Sequence, residues 1–164
     1  MTDAPDPVRP TPPGGVFDGP LHLYAVRVYY EDTDLSGIVY HANYLRWFER
    51  ARSDVLRMLK IDQRAAIEAG EGAYAVADVQ MRYLRPALLD DDIVIHTRCS
   101  EVKAASVRML QEAKRDEDTI CSAAFRVGFV APNGRPRRQP KAWREAFADI
   151  LDTSSVSSAF GEHA

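Results

Sequence analysis

Four strand-like runs follow one another in the second half of the chain, joined by links too short to hold a crossover. The runs are Ala75 to Leu84, Asp92 to Cys99, Ser106 to Lys114 and Ile120 to Val130. The links are Arg85-Pro86 with the acidic Asp90-Asp91-Asp92, then Glu101 to Ala105, then Arg115-Asp116-Glu117-Asp118. Parallel neighbours need a long connection, so these links predict antiparallel pairing. Ahead of them, Tyr24, Val26, Val28 and Tyr30 alternate with Ala25, Arg27 and Tyr29, which predicts one more strand. Between this strand and the series lies a different period. From Ala42 to Lys60, Tyr44, Leu45, Phe48, Val55, Leu56 and Leu59 recur at three- and four-residue steps, an amphipathic helix of about five turns. A shorter helix is expected over Asp62 to Ala69, ended by Gly70. After the Pro132-Asn133-Gly134 turn signal, a last helix is expected from Lys141 to Leu151, with Trp143, Phe147, Ile150 and Leu151 on one stripe. One strand, one long helix and an antiparallel series make an α+β fold of about five strands, in which the helix must bury its stripe on the only sheet available. A sheet covered by one helix leaves its edges under-protected, and oligomerisation is the natural remedy.

Size and charge narrow the function classes. With 164 residues, one domain is the default, and 46% hydrophobic with 27% charged residues suits a packed core rather than disorder. Lys and Arg number 21 against 24 Asp and Glu, a net charge of -3 that lacks the basic excess of a nucleic-acid binder. Cys99 and Cys121 are too few for a disulfide framework, lack the spacing of a zinc site, and read as small apolar core residues. No apolar run approaches the ~20 residues of a membrane span, and no basic patch leads an apolar stretch near Met1, so a soluble cytoplasmic protein is expected. Residues 1–20 hold six of the ten prolines and the Gly14-Gly15 pair, and are expected to be a disordered tail. Residues 152–164, rich in Ser and Ala, are expected to be a second tail, which leaves 21–151 as the folded domain.

The stretch from Tyr29 to Tyr44 carries the chemistry. It places Glu31, Asp32, Asp34, Gly37, His41 and Asn43 between the first strand and the long helix. A helix start offers unpaired N–H groups and partial positive charge, and an oxyanion formed from a carbonyl would be stabilised there. The N–H groups around Tyr40 to Asn43 are the candidates, and Gly37 permits the turn that folds the carboxylates back toward them. Asp34 is then a candidate nucleophile or general base, with His41 positioning water or substrate. Asp and Asn before a helix are more commonly caps and turn-formers, so these residues alone define only an anion or carbonyl site.

The run Arg27-Val28-Tyr29-Tyr30-Glu31-Asp32-Thr33-Asp34, followed by Gly37-Ile38-Val39-Tyr40-His41-Ala42-Asn43-Tyr44 and Glu49-Arg50-Ala51-Arg52, closely resembles the 4-hydroxybenzoyl-CoA thioesterase family. It looks most like the branch of acyl-CoA thioesterases associated with the Tol-Pal envelope system. A weaker match runs from Tyr83 to Asp91, and the resemblance spans roughly Leu21 to Phe147. It implies a hotdog fold, a curled antiparallel sheet wrapped around the long helix, with active sites at a dimer interface and tetramers common. It also implies hydrolysis of acyl-CoA to a free acid and CoA. Asp34 falls on the family's catalytic aspartate and His41 on a histidine typical of the branch, with Tyr40, His41 and Asn43 at the oxyanion and substrate site. Leu35-Ser36 replaces the Ala-Gly pair of many relatives, a departure that bears on pocket shape. Because CoA thiolate is a good leaving group, no metal or cofactor is expected.

Other residues weigh less. Lys103 falls where resembling enzymes carry basic residues facing the CoA phosphates, and a solvated loop lysine is the plain alternative. Arg135, Arg137 and Arg138 form a further basic cluster in a Pro-rich setting that reads as an exposed linker. Glu49 is expected to serve an ion pair or hydrogen bond, Asp32 to brace the loop, and Tyr74 and Met81 are candidates for an acyl pocket. The expected partners are acyl-CoA, an acyl carrier protein and further copies of the chain as homodimer or homotetramer. Competing functions are a hotdog hydratase or dehydratase, and a non-catalytic partner of acyl carrier protein or envelope-lipid enzymes.

Overall fold

The computed structural model describes residues 8–152. Its elements are β1 (Val16–Asp18), β2 (Leu21–Arg27), α1 (Asn43–Met58), α2 (Gln63–Glu68), β3 (Ala73–Tyr83), β4 (Asp92–Val102), β5 (Ser106–Arg115), β6 (Asp118–Val130) and α3 (Lys141–Asp149). The strands form one antiparallel sheet in the order β1-β2-β4-β5-β6-β3. The short links therefore act as expected: β4, β5 and β6 are a meander, and β3 returns to flank β6.

The sheet curls around α1. Trp47, Phe48, Ala51 and Val55 of the helix are buried in one cluster with Ile93 and Ile95 of β4, Met109 of β5 and Phe125 of β6. Each large apolar side chain so buried contributes about 2 kcal/mol, so this single interface supplies much of the fold's stability. A charged substitution at Phe48, which is fully buried at the middle of that interface, would break it.

The structure departs from the sequence reading in several places, each for a local reason. Among the described residues there are six strands rather than about five, because Val16–Asp18 pairs with β2 ahead of Leu21, within the segment assigned to a tail. The first predicted strand stops at Arg27, since Tyr30–Asp32 coils into a 3-10 turn and leaves Tyr30 exposed. Leu45 and Leu151, placed on buried stripes, are each 38% exposed. Arg52 and Asp54 are buried on α1 instead, through polar partners the periodicity does not reveal. Residues 153–164, which make up nearly all of the expected second tail, and residues 1–7 lie outside the described residues.

Candidate active site at the start of the long helix

The link from β2 to α1 is fastened at both ends. Thr33 bridges Val39 and Ile38 bridges Leu88, while the Val39 N–H donates to the Ala87 carbonyl at 2.8 Å. Between them Asp34 to Gly37 form a tight turn: the Asp34 N–H donates to the Ile38 carbonyl at 2.9 Å and the Gly37 N–H to the Asp34 carbonyl at 3.0 Å. Gly37 has φ +80°, a left-handed conformation that a side chain would strain.

Asp32 is the brace expected of it. Its carboxylate accepts from the Tyr29 N–H at 2.7 Å and from the Asn43 side-chain amide at 2.8 Å, and its carbonyl accepts from the Tyr40 N–H at 2.9 Å. This ties the 3-10 turn to the first residue of α1. It also spends donors: the Tyr40 N–H serves Asp32, the Asn43 side chain serves Asp32, and the Asn43 N–H donates to the Tyr40 carbonyl at 2.9 Å. Of the candidate oxyanion donors, the N–H groups of His41 and Ala42 are left without a partner among the described residues. Ala42 occupies the N-cap of α1, where it offers no side-chain oxygen, so the helix start stays open.

Asp34 lies exposed in the same link, within electrostatic reach of His41. Its Oδ1 accepts from the Ser36 hydroxyl and, at 2.8 Å, from the Ser36 N–H. The Ser36 hydroxyl, then the Ser36 amide, hold the carboxyl below its ordinary value against slight burial, with His41 and the Ile38 backbone adding to the effect. Asp34 is therefore an anion at neutral pH. Of the Leu35-Ser36 departure, Ser36 is a partner of the carboxylate and Leu35 projects fully into solvent.

An aromatic wall stands over the helix start. The His41 ring lies 4.5 Å from that of Tyr40 and 6.3 Å from that of Tyr83, and Tyr83 lies 5.8 Å from Tyr44. The Tyr83 hydroxyl donates to the His41 carbonyl at 3.0 Å. Burial pushes the Tyr44 phenol up to about 12. Neither tyrosine is readable as a site residue from spacing alone; only the pairing of β3 with β6 carries Tyr83 to this end of the sheet.

Lys103 is not brought to this site within one chain. Tyr83 pairs with Cys121 on β6, whereas Ser106, beside Lys103, pairs with Gly128. Those β6 positions are about 20 Å apart at ordinary strand rise. Lys103 itself pairs with Glu101 at 3.3 Å. Near that far end a cleft of about 90 Å³ opens between α1 and the sheet, lined by Glu49, Leu56, Tyr74, Val76, Met109 and Phe147 among others. Tyr74 thus lines this cleft, and Met81 is not among its lining residues. Glu49 accepts from Arg52 and from the Ser53 hydroxyl, an ion-pair role as expected. Arg52 in turn donates to Gln111 at 2.8 Å and stacks on Phe125, and Gln111 donates to the Phe48 carbonyl and Thr97.

The remaining candidates have other occupations. Arg137 donates to the carbonyls of Gly70 and Glu71. Burial pushes both Cys99 and Cys121 thiols up to about 12, which makes them inert core groups. Among the described residues, no group of three His, Cys, Asp or Glu is placed to hold a metal, and no helix is long and apolar enough to cross a membrane.

A curled antiparallel sheet around one helix, with an anionic aspartate at that helix's open start, defines a hotdog protein of the thioesterase type. Residues 36–122 match the family described as Thioesterase superfamily, and the chain belongs to it. It is 39% identical to acyl-CoA thioesterase YbgC of Haemophilus influenzae, over 76% of this chain and 92% of that protein. It is 40% identical to acyl-CoA thioesterase YbgC of Helicobacter pylori, over 77% of this chain and 96% of that one. Among solved structures, a probable thioesterase from Bartonella henselae aligns with TM-score 0.69 and 34% identity, covering 73% of this chain and 99% of that one. A 1,4-dihydroxy-2-naphthoyl-CoA thioesterase from Synechocystis shares the fold, with TM-score 0.73 and 21% identity over 79% of this chain and 96% of that one.

Proposed function

We propose that this protein hydrolyses acyl-CoA thioesters, with Asp34 as the attacking group. The observation that carries the reading is an ionised, solvent-facing carboxylate within electrostatic reach of His41, in the link that leads to two amides unpartnered among the described residues at the start of the long helix. The thioester carbonyl points its oxygen at the N–H groups of His41 and Ala42. Both Ser36 hydrogen bonds fall on Oδ1, which leaves Oδ2 without a partner among the described residues and open to the thioester carbon. An Asp34 oxygen bonds to the thioester carbon, the C–S bond breaks, and CoA leaves as thiolate. Water then cleaves the acyl-aspartate anhydride to the free acid and restores the carboxylate. His41, which acts electrostatically on Asp34, helps to place that water.

Two copies complete the site. β3 is an eleven-residue strand at the outer edge of the sheet, with Val76 and Val79 exposed, and such an edge invites pairing. Antiparallel pairing with β3 of a second copy lays the Tyr83 end of one chain beside the Tyr74 end of the other. Asp34 of one subunit then faces the partner's cleft, which takes the acyl group, and the partner's basic rim at Lys103, which suits the CoA phosphates. Dimers of this kind assemble further into the tetramer. Val79→Lys is expected to halve the mass measured by light scattering and to remove hydrolysis with it; an unchanged mass would reject the β3 interface. The finer assignment, to the Tol-Pal branch of the 4-hydroxybenzoyl-CoA thioesterase family, is supported by the Arg27–Asp34 and Gly37–Tyr44 runs. A cytoplasmic place, where acyl-CoA is made, and acyl carrier protein as a second acyl donor accompany it.

The test is release of free thiol from a panel of short, long and aromatic acyl-CoAs. Thiol should appear with at least one of them. A hydratase leaves the thioester intact, so modification of the acyl chain without thiol would reject the reading.

A further inference from the structure

Tyr83 ends β3 half exposed, with its hydroxyl 3.0 Å from the His41 carbonyl. That carbonyl shares a planar peptide unit with the Ala42 N–H, one of the two open amides. Fixing the carbonyl fixes the direction of the N–H on the opposite side of the same plane. A proton donated to the oxygen also draws electron density from the nitrogen, which makes its N–H a stronger donor. The tyrosine ring is held from two sides, edge-on to His41 at 88° and against Tyr44 at 66°. Its hydroxyl is therefore held in place rather than free to swing. Partial burial pushes the phenol up, so it keeps the proton it donates at neutral pH. Backbone bonds hold the chain on either side of this peptide, from the Tyr40 N–H to the Asp32 carbonyl and from the Leu45 N–H to the Ala42 carbonyl. Among the described residues, the Tyr83 hydroxyl is the side-chain group that reaches the peptide itself.

We propose that Tyr83 is a positioning residue of the oxyanion hole, aligning and polarising the His41–Ala42 peptide for the charge that develops on the substrate oxygen. The inference rests on the acyl-CoA reading of the Asp34 site. As the bond to the thioester carbon forms, the carbonyl electron pair moves to oxygen, where the Ala42 N–H meets it. The pair returns when the C–S bond breaks and CoA leaves. Tyr83 touches none of the reacting atoms; it polarises the peptide at all times, and that polarisation counts toward the rate when the oxygen is charged.

Tyr83→Phe keeps the ring and removes the O–H. Losing an oxyanion donor outright costs 100-fold or more, so losing its support is expected to lower kcat about tenfold. KM is expected to stay within about twofold, because the interaction strengthens only in the transition state. In nuclear magnetic resonance spectra of the substrate-free protein, the Ala42 amide proton is expected to move upfield in Tyr83→Phe, with the thermal midpoint unchanged. Both the kcat loss and the amide shift are required. An unchanged kcat, a loss expressed as raised KM, or an unmoved Ala42 resonance would overturn the assignment. If the unaltered protein releases thiol from no acyl-CoA, the acyl-CoA reading fails by itself, and the Ala42 resonance still decides whether Tyr83 polarises the peptide.

Discussion

Asp34→Asn is expected to lose acyl-CoA hydrolysis by about a thousandfold or more while remaining folded. Asparagine keeps an oxygen that can accept the Ser36 N–H and hydroxyl, so the turn over residues 34–37 survives, but it carries no charge with which to attack. Asp34→Ala removes both, and should be as inactive with a looser loop. Near-normal turnover in both variants would sink the assignment. The pH profile gives a second check. Protonation silences a carboxylate, and Asp34 is held below the ordinary 3.8, so the acid limb it contributes lies below that value. The Ser36 hydroxyl is the largest cause of that lowering. Ser36→Ala is therefore expected to move the acid limb of kcat upward in pH, and a limb that stays in place would separate Asp34 from the rate.

Asp54→Ala is expected to destabilise the fold by about 1–3 kcal/mol, the cost of leaving the buried His22 imidazole unpaired, in a urea titration at pH 7. Asp54 is buried and accepts from His22 at 2.9 Å, from the Gly15 N–H at 2.8 Å and from Arg57. His22 is fully buried and its Nδ1 has no partner among the described residues, so removing Asp54 leaves the imidazole without any. Gly15 is constrained by the same contact, since a Cβ there would stand 2.5 Å from the His22 ring. The signs of the two titrations agree. Burial keeps His22 below 6.5 despite Asp54, so the folded state resists a proton that the unfolded chain accepts. Its stability is complete above 6.5 and drains away as pH falls through the lowered folded value. For Asp54, burial is outweighed by hydrogen bonds from Arg57, His22 and Gly15, and the lowered carboxyl adds a further loss below 3.8. The thermal midpoint should fall between pH 7 and pH 5, and His22→Gln should flatten that fall. A midpoint independent of pH across that range, or Asp54→Ala as stable as the parent, would contradict the account.

What was legible in the residues divides along physical lines. The long helix and the four later strands announce themselves through period, because each buries one face against the same core. β1 does not, since three residues have no period and Pro20 follows close behind. Arg52 and Asp54 read as solvated charges on a helix because their partners, Gln111 and His22, lie 59 and 32 residues away. Asp34 and its turn could be found, since Gly37 and the local carboxylates are neighbours in sequence. Which amides stay open could not, because the Tyr40 N–H is consumed by the carbonyl of Asp32, a tertiary fact. Lys103 could have been placed by counting hairpins: successive turns of a meander fall at opposite ends, and Tyr83 belongs to the end that Lys103 does not.

The bare start of the long helix has a consequence for anyone selecting hardier variants. Serine, threonine or aspartate at position 42 would accept from an amide in the first turn of the helix, at Tyr44 or Leu45, and such caps add about 1 kcal/mol. Such a replacement would rank high in any screen for heat resistance, yet it would set a bulkier polar side chain beside the His41 and Ala42 amides meant for the substrate's oxygen. Endurance and turnover are thus set against each other at one alanine, and evolution for the second explains why the first was left ungathered.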